Sequence, residues 1–445
     1  MSTTERPTGR RIAVASFVGT AIEFYDFYIY GTAAALVFGG VFFPSFSPLA
    51  GTLASFATFA VGFVARPLGA ILFGHFGDRI GRKRMLIVSL VLMGGATVAV
   101  GLIPSFETIG VLAPILLVTA RFLQGVGLGG EWGGAVLLAT EYAPPGKRGL
   151  YSAFPQLGPA VGFVLGNAMF LLLDATMSDE TFRAVGWRIP FLASVVLLVV
   201  GYYIRMRIAE TPVFQAAMDR QERSRVPFAD LLRRQPKVLV LATLSFVLAH
   251  TLFYTVTTFA LSYGTTTLHV DRTTMLLAAM VAVAVMGALT LWFAVQSDRV
   301  GRKRVCIASA VLAAVWAFPL FWLIDTGNPL LITLGMVGGL ICFAMLYGPM
   351  GAFLPELFRV RYRYSGSSFA YSASGIVGGG LSPIIATDLL ARTGSSAAVS
   401  AYVLVIALVC LGALLPLGET KDADFTDGLA GADGRTGTDG LTPPR

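Results

Sequence analysis

Apolar stretches alternate with short polar connections along almost the whole chain, near 12–42, 50–75, 85–103, 111–139, 150–173, 189–205, 238–264, 273–295, 305–324, 330–352, 367–391 and 398–418. Each approaches or exceeds the roughly 20 residues with which a helix crosses the hydrocarbon of a bilayer. The pattern predicts an all-α membrane protein with twelve transmembrane helices. The longest interior polar stretch, carrying Arg207, Arg220, Arg223, Arg225, Arg233 and Arg234, divides six spans from six. The expected organisation is an N-terminal six-helix bundle over 1–205, a linker over 206–237, a C-terminal six-helix bundle over 238–418 and a tail over 419–445. That tail is rich in Gly, Asp and Thr and ends in Pro443-Pro444-Arg445, the composition of a disordered segment.

Composition agrees with lipid as the main solvent. The chain is 55% apolar and only 13% charged, with a mean hydropathy of +0.74, whereas soluble domains carry about a quarter charged residues. A formal net charge of +8 invites a polyanion as partner, but its distribution points elsewhere. With the N-terminus in the cytoplasm, 27 of the 33 Lys and Arg fall on the cytoplasmic side, and the outer loops keep Arg183, Arg188, Arg272 and Arg392. This asymmetry is the positive-inside rule: both termini are expected in the cytoplasm, with no nucleic-acid partner. Arg10-Arg11 before an apolar run imitates a secretion signal, yet Glu23 and Asp26 interrupt that run, which reads as a first span. Cys306, Cys342 and Cys410 are isolated within spans and lack metal-ligand spacing, so they read as packing residues and no metal site is expected.

The sequence repeats itself. GDRIGRKR at 77–84 returns as SDRVGRKR at 297–304, an offset of 220 residues, each after the second span of its half. Glu141 with Lys147-Arg148-Gly149 is echoed more loosely by Glu356 with Arg363 and Gly366. Two parallel halves of six helices are an architecture of alternating-access carriers. Gly74-x-x-x-Asp78-Arg79-x-Gly81-Arg82-Lys83-Arg84 resembles the loop 2–3 signature of the major facilitator superfamily; the second copy, with Asp298, Arg299, Gly301 and Arg302, has Ala294 in place of the leading Gly. IEFYDFYIYG (22–31), ARPLGA (65–70), RFLQGVGLGGEWGGA (121–135), WRIPF (187–191) and RYSG (363–366) together resemble the metabolite:proton symporter family, which includes shikimate, α-ketoglutarate, citrate and proline/betaine permeases. The likeness runs from about residue 12 to 418. It implies two pseudo-symmetric six-helix bundles, a small-molecule substrate, a proton as coupling ion with no other cofactor, a monomer, and the bacterial inner membrane. Gly158-Pro159-x-x-Gly162 partly resembles an antiporter signature, although Phe154 stands where that pattern has another Gly, so exchange stays open.

Charge inside apolar helices needs a reason, because each such group costs about 2.5–3.5 kcal/mol at insertion. Glu23, Asp26, Arg66, Arg121 and Glu131 carry that cost in the first, second and fourth spans. One reading is an ion-pair cluster that holds the N-terminal half together; the other is function, and the two are compatible. At about 1.5 Å per residue, Asp26 and Arg121 fall at central to outer depth. Glu23, Arg66 and Glu131 form a layer nearer the cytoplasm. Asp26 with Arg121 resembles the proton-coupling pair of proton-driven sugar porters, with Glu23 and Glu131 as rival carboxylates. A carboxylate beside a fixed guanidinium stays ionised, and loss of that neighbour in a dry site favours the acid. Arg66 and Arg121 are natural anchors for an anion because the guanidinium grips carboxylate with two parallel bonds.

His250, Tyr254, Thr257 and Thr258 share one stripe of the seventh span, and polar stripes in membrane helices line cavities. Gln124, Trp132, Gln156, Asn167 and Tyr347 are further candidate substrate contacts. The glycines from Gly125 to Gly134 imitate a nucleotide loop but have neither a preceding strand nor a following Lys-Ser/Thr, and read as close helix packing. No nucleophile motif or P-loop suggests an enzyme. The expectation is a proton-coupled symporter of a small organic acid, with uptake of a zwitterion such as betaine or proline, or exchange of organic acids, as alternatives. The paired loops (Asp78, Arg79, Arg82, Lys83; Asp298, Arg299, Arg302) are expected to close the cytoplasmic side and stabilise the outward-open state.

Overall fold

The computed structural model describes residues 9–80, 82–129, 136–137, 139–140, 143–144, 146–208, 228–359 and 362–422. Among these residues the apolar runs become twelve long helices. The first half holds α1 (Gly9–Leu36), α2 (Pro48–Ile80), α3 (Arg82–Leu102), α4 (Leu112–Leu128), α5 (Arg148–Thr176) and α6 (Arg188–Ile208). The second holds α7 (Pro236–Thr266), α8 (Arg272–Val300), α9 (Arg302–Ile324), α10 (Pro329–Leu357), α11 (Arg363–Thr393) and α12 (Ser396–Leu414). Eight of them are individually long and apolar enough to cross a membrane; α6 is so together with Asp179–Gly186, to which it is bent by 44°. The end carrying the α2–α3 and α8–α9 loops is called the basic end below, and the opposite one the far end.

Local chemistry sets the boundaries. Asp271, Asn328 and Ser395 cap α8, α10 and α12 by accepting from Thr274 N (3.3 Å), Leu330 N (2.9 Å) and Ala397 N (3.2 Å). Gly301, at φ +112°, ends α8 in a conformation that side chains avoid. Two of these helices widen by one turn within their length, α7 at Thr255–Phe259 and α11 at Ile376–Gly380, as helices often do beside functional sites.

Large apolar side chains point outward from α3 (Val88, Val91), α6 (Val196, Val199), α9 (Val311, Val315) and α12 (Val405, Leu408). In water such surfaces would aggregate; in a bilayer they are the required exterior. Inside, small residues let backbones touch. A Cβ on Gly125 would collide with the Gly62 carbonyl, and one on Gly129 with the Arg66 carbonyl, so α2 and α4 pack at backbone distance. Gly158 and Gly162 press α5 onto Thr20, Ala21 and Tyr25 of α1, which gives the partial Gly-Pro motif a packing role in the first half. The three cysteines are buried, as packing residues would be. Across the halves α5 pairs with α8 and α10, α2 with α11, and α1 with α7. Residues 419–422, counted with the tail in the sequence reading, sit against the basic end of α9: the Glu419 carboxylate accepts from Arg302 N (2.7 Å) and Lys303 N (3.2 Å).

Candidate transport site

Midway between the ends, both halves contribute to one aromatic and polar cluster. Tyr28 of α1 packs on Phe253 (5.1 Å between ring centres) and Tyr254 (6.3 Å) of α7, and Tyr254 also stands on Phe59 and Phe63 of α2. Arg66 enters this cluster from α2. It is 3% exposed, and its guanidinium carbon lies 4.3 Å from the Phe27 ring centre and 4.7 Å from that of Phe63. Its Nε and Nη2 have no hydrogen-bond partner although both are buried. Unsatisfied charged donors in a dry site are costly. A narrow cavity reaches Arg66 between Thr20, Glu23 and Phe24 of α1, Leu128 and Gly129 of α4, and Ser368, Tyr371 and Ser372 of α11. The Ser368 hydroxyl on that wall is also buried and unpartnered.

Asp26 and Arg121, expected as a direct pair, are not in contact here. The Arg121 guanidinium is clamped by rings, 4.1 Å from the centre of Phe27, 4.2 Å from Tyr30 and 4.8 Å from Phe59. Its Nη1 donates to Gln124 Oε1, its Nε to the Phe59 carbonyl (3.4 Å), and its Nη2 is buried without a partner. Gln124 Nε2 in turn donates to the main-chain carbonyl of Asp26 (3.0 Å) and to Thr97 Oγ1 (2.8 Å). The Asp26 carboxylate accepts from Ser194 of α6 at 2.6 Å. Rings of α1 (Phe27, Tyr30) and α2 (Phe59) hold the guanidinium, and Gln124, one turn on along α4, accepts from it. Gln124, expected as a substrate contact, is thereby an internal bridge.

The halves are also tied at both ends of the α5–α8 contact. At the basic end, Asp298 of α8 accepts from the Gly149 (2.9 Å) and Leu150 (3.0 Å) amides at the start of α5. Arg302 braces Asp298 (2.7 Å) and Glu356 (3.3 Å), Arg148 approaches Glu356 at 3.9 Å, and Gln156 donates to the Gly348 carbonyl of α10 (3.3 Å). At the far end, Arg272 of α8 bridges Asp174 and Asp179 at 2.5 Å each, and Thr273 donates to Asp174 (2.9 Å). The Arg272 guanidinium beside it holds the Asp179 carboxyl below its ordinary range.

Residues 12–240 match the family described as sugar (and other) transporter, and residues 248–432 match the major facilitator superfamily. The chain belongs to that superfamily. Among curated relatives, this transporter is 45% identical to the inner membrane metabolite transport protein YhjE of Escherichia coli K12 (92% of this chain, 94% of that protein). It is 40% identical to the shikimate transporter of the same organism (93% and 95%) and 33% identical to its proline/betaine transporter (93% and 84%). The D-xylose–proton symporter shares its fold, with a TM-score of 0.72 at 19% identity over 93% of this chain and 98% of that one. It is thus a multi-pass membrane transporter of metabolites and not an enzyme.

Of the residues singled out in this metabolite transporter, Glu23, Arg66, Tyr254 and His250 reach the central region. His250 Nδ1 lies 3.3 Å from both the Phe246 carbonyl and Ser374 Oγ, and its ring faces Tyr371 at 5.0 Å. Tyr347 stacks on Phe343 (4.7 Å). Asn167 is not brought there: it accepts from Thr32 (2.9 Å) and donates to the Phe163 carbonyl (2.9 Å), tying α5 to α1. Thr257 is returned to the Phe253 carbonyl (2.7 Å). The Arg299 carbonyl accepts from Lys421 (2.9 Å). Glu131, Trp132 and Gly81 lie outside the described residues, and so do the side chains of Asp78, Arg79, Arg82 and Lys83; Gly74 lies within α2. Tyr28, Tyr371, Ser194 and Asp174 were not anticipated. Tyr and Ser are common in membrane helices and Asp174 falls just past the apolar run 150–173, so only tertiary packing distinguishes them.

Proposed function

We propose that the chain is a proton-coupled symporter of a small organic acid that works by alternating access of the two halves around the Arg66 cluster. The observation that carries this reading is the buried Arg66 guanidinium, with two donors unmatched by the protein and a cavity walled by α1, α4 and α11 leading to it. A carboxylate meets that demand with two parallel charge-assisted bonds. Arg66 and Arg121 share the faces of Phe27, so an anion at Arg66 lowers the repulsion felt by Arg121. Two charges about 8 Å apart at an effective dielectric near 20 interact by about 2 kcal/mol. Substrate binding therefore alters the balance between Arg121 and Asp26, the proposed proton site, with Glu23 and Glu131 as competing carriers. Tyr254, Tyr347, His250, Gln156 and Trp132 are proposed to shape the remaining cavity. The Lys and Arg asymmetry supports cytoplasmic termini, and the proposed carrier is an inner-membrane monomer with the proton as sole coupling species. The latch at Asp298, and by repetition the loop with Asp78, then closes the cytoplasmic side of the outward-open state.

A second reading, uptake of a zwitterion, is favoured by Glu23 and Tyr371 on the cavity that holds Arg66: one end would take a carboxylate and the other a cation. Uptake into proteoliposomes with an imposed pH gradient, with and without a protonophore, tests the coupling. A panel of organic acids and betaines in a ligand-induced stability screen tests the substrate. Uptake that ignores the protonophore rejects proton symport, and stabilisation by betaines alone selects the second reading.

A further inference from the structure

Gln124 is wholly buried, and both polar atoms of its amide are engaged. Turning the amide over would set its NH₂ against the Arg121 donors and its oxygen against the Asp26 carbonyl, so the orientation is fixed by its partners. The same helix turn thus gives Arg121 a neutral acceptor and ties that acceptor to the backbone of the residue carrying the proposed proton site. Arg121 retains one buried, unpartnered donor, Nη2. Asp26 is held by Ser194 rather than by a cation.

We infer that Gln124 is a positioning residue for proton coupling: a neutral alternate partner that occupies Arg121 while Asp26 is protonated and releases it when Asp26 ionises. This rests on the reading of Asp26 as the proton site. A guanidinium with no acceptor of its own would draw on the Asp26 carboxylate at all times and keep it ionised. A guanidinium with a permanent carboxylate partner would never need Asp26. The neutral amide lies between these extremes, and that allows the proton to be both taken and released. Tyr25 is the titratable neighbour that acts on Asp26 directly; Glu23 and Tyr30 lie one turn away on α1, and the Arg121 guanidinium of α4 rests on the α1 rings of Phe27 and Tyr30. α3 and α6 meet Asp26 with Thr97 and Ser194, and α5 packs on the neighbouring Tyr25 and Ile29 through Gly162 and Gly166.

The test is infrared pH titration of the purified full chain with the proton itself as probe, the Asp26 band being the one that Asp26→Asn removes. Gln124→Leu is expected to move its midpoint to lower pH by about one unit, and Gln124→Glu to higher pH by about as much. If Gln124→Leu fails to fold, Gln124→Met takes its place and the Glu variant still fixes the sign. Midpoints unchanged in both variants, or moved in the same direction, overturn the role of Gln124 and leave Asp26 as the proton site. Absence of any Asp26 band titrating between about pH 4 and 10 removes Asp26 itself, and the role of Gln124 falls with it.

Discussion

Arg66→Lys keeps a positive charge at the cavity and removes the fork. In the structure, Nε and Nη2 are the two buried donors with nothing to bind, and a lysine ammonium offers one comparable bond along that direction. A hydrogen bond to a charged group contributes about 1.5–3 kcal/mol, so loss of one corresponds to substrate binding weakened about 10- to 150-fold. The guanidinium also lies on Phe27 and Phe63. Those contacts are made without substrate, so their loss appears in thermal stability and not in affinity. The assay is calorimetric titration of the detergent-purified protein with the acid that most raises its melting temperature, alongside counterflow in proteoliposomes. Arg121→Lys is the control, because that guanidinium is enclosed by Phe27, Tyr30 and Phe59; it should damage coupling and leave affinity nearly intact. Affinity within about twofold of the parent in Arg66→Lys, with loss in Arg121→Lys, would reverse the assignment and refute the reasoning from unmatched donors.

Asp26→Asn should retain counterflow and lose accumulation driven by a pH gradient; accumulation that persists there and fails in Glu131→Gln moves the proton site to α4. Asp298→Asn removes the charge that caps α5 from across the halves, which at about 1.5–3 kcal/mol for charged bonds should shift the state equilibrium at least about tenfold toward opening at the basic end. Cysteine labelling from that side reports it, and unchanged labelling with normal turnover rejects the latch. Arg272→Gln should open the far end in the same assay. Asp179 has a depressed folded-state range, so its contribution is present above the ordinary carboxylate range and lost as pH falls through the depressed value. Labelling at the far end should therefore be flat from about pH 5 to 8 and rise only in stronger acid; a rise already at pH 6 would assign the change to another group.

The helices were legible because lipid demands long apolar runs and nothing else in the chain competes with that signal. Arg66 and Arg121 stood out for the complementary reason, as charges where charge is expensive. Depth along a helix follows from counting residues; the direction in which a side chain leaves the helix depends on its neighbours. Asp26 and Arg121 are out of direct contact for that reason: both lie near the middle, while the rings of Phe27, Tyr30 and Phe59 decide where the guanidinium rests. Asn167 misled in the same way: a polar residue in an apolar helix is satisfied either by a ligand or by a neighbour, and here Thr32 is the neighbour. Tyr28 and Tyr371 sit in the centre without any mark in the sequence, because tyrosine serves equally at interfaces, in cores and in sites.

At the basic end, a carboxylate of one bundle is met by the main chain of the other. Asp298 reaches the amides of Gly149 and Leu150, and amides do not change when a codon does. A side-chain pair drifts from either partner and is restored by compensating exchanges; this one varies through the carboxylate or through Gly149, whose Cβ would strike the Ala294 carbonyl at 2.6 Å. Descendants of this chain that alter substrate preference around Arg66 should therefore keep the same closing device. Under the proposed latch, the cavity is free to diversify while the timing of its opening is inherited almost unchanged.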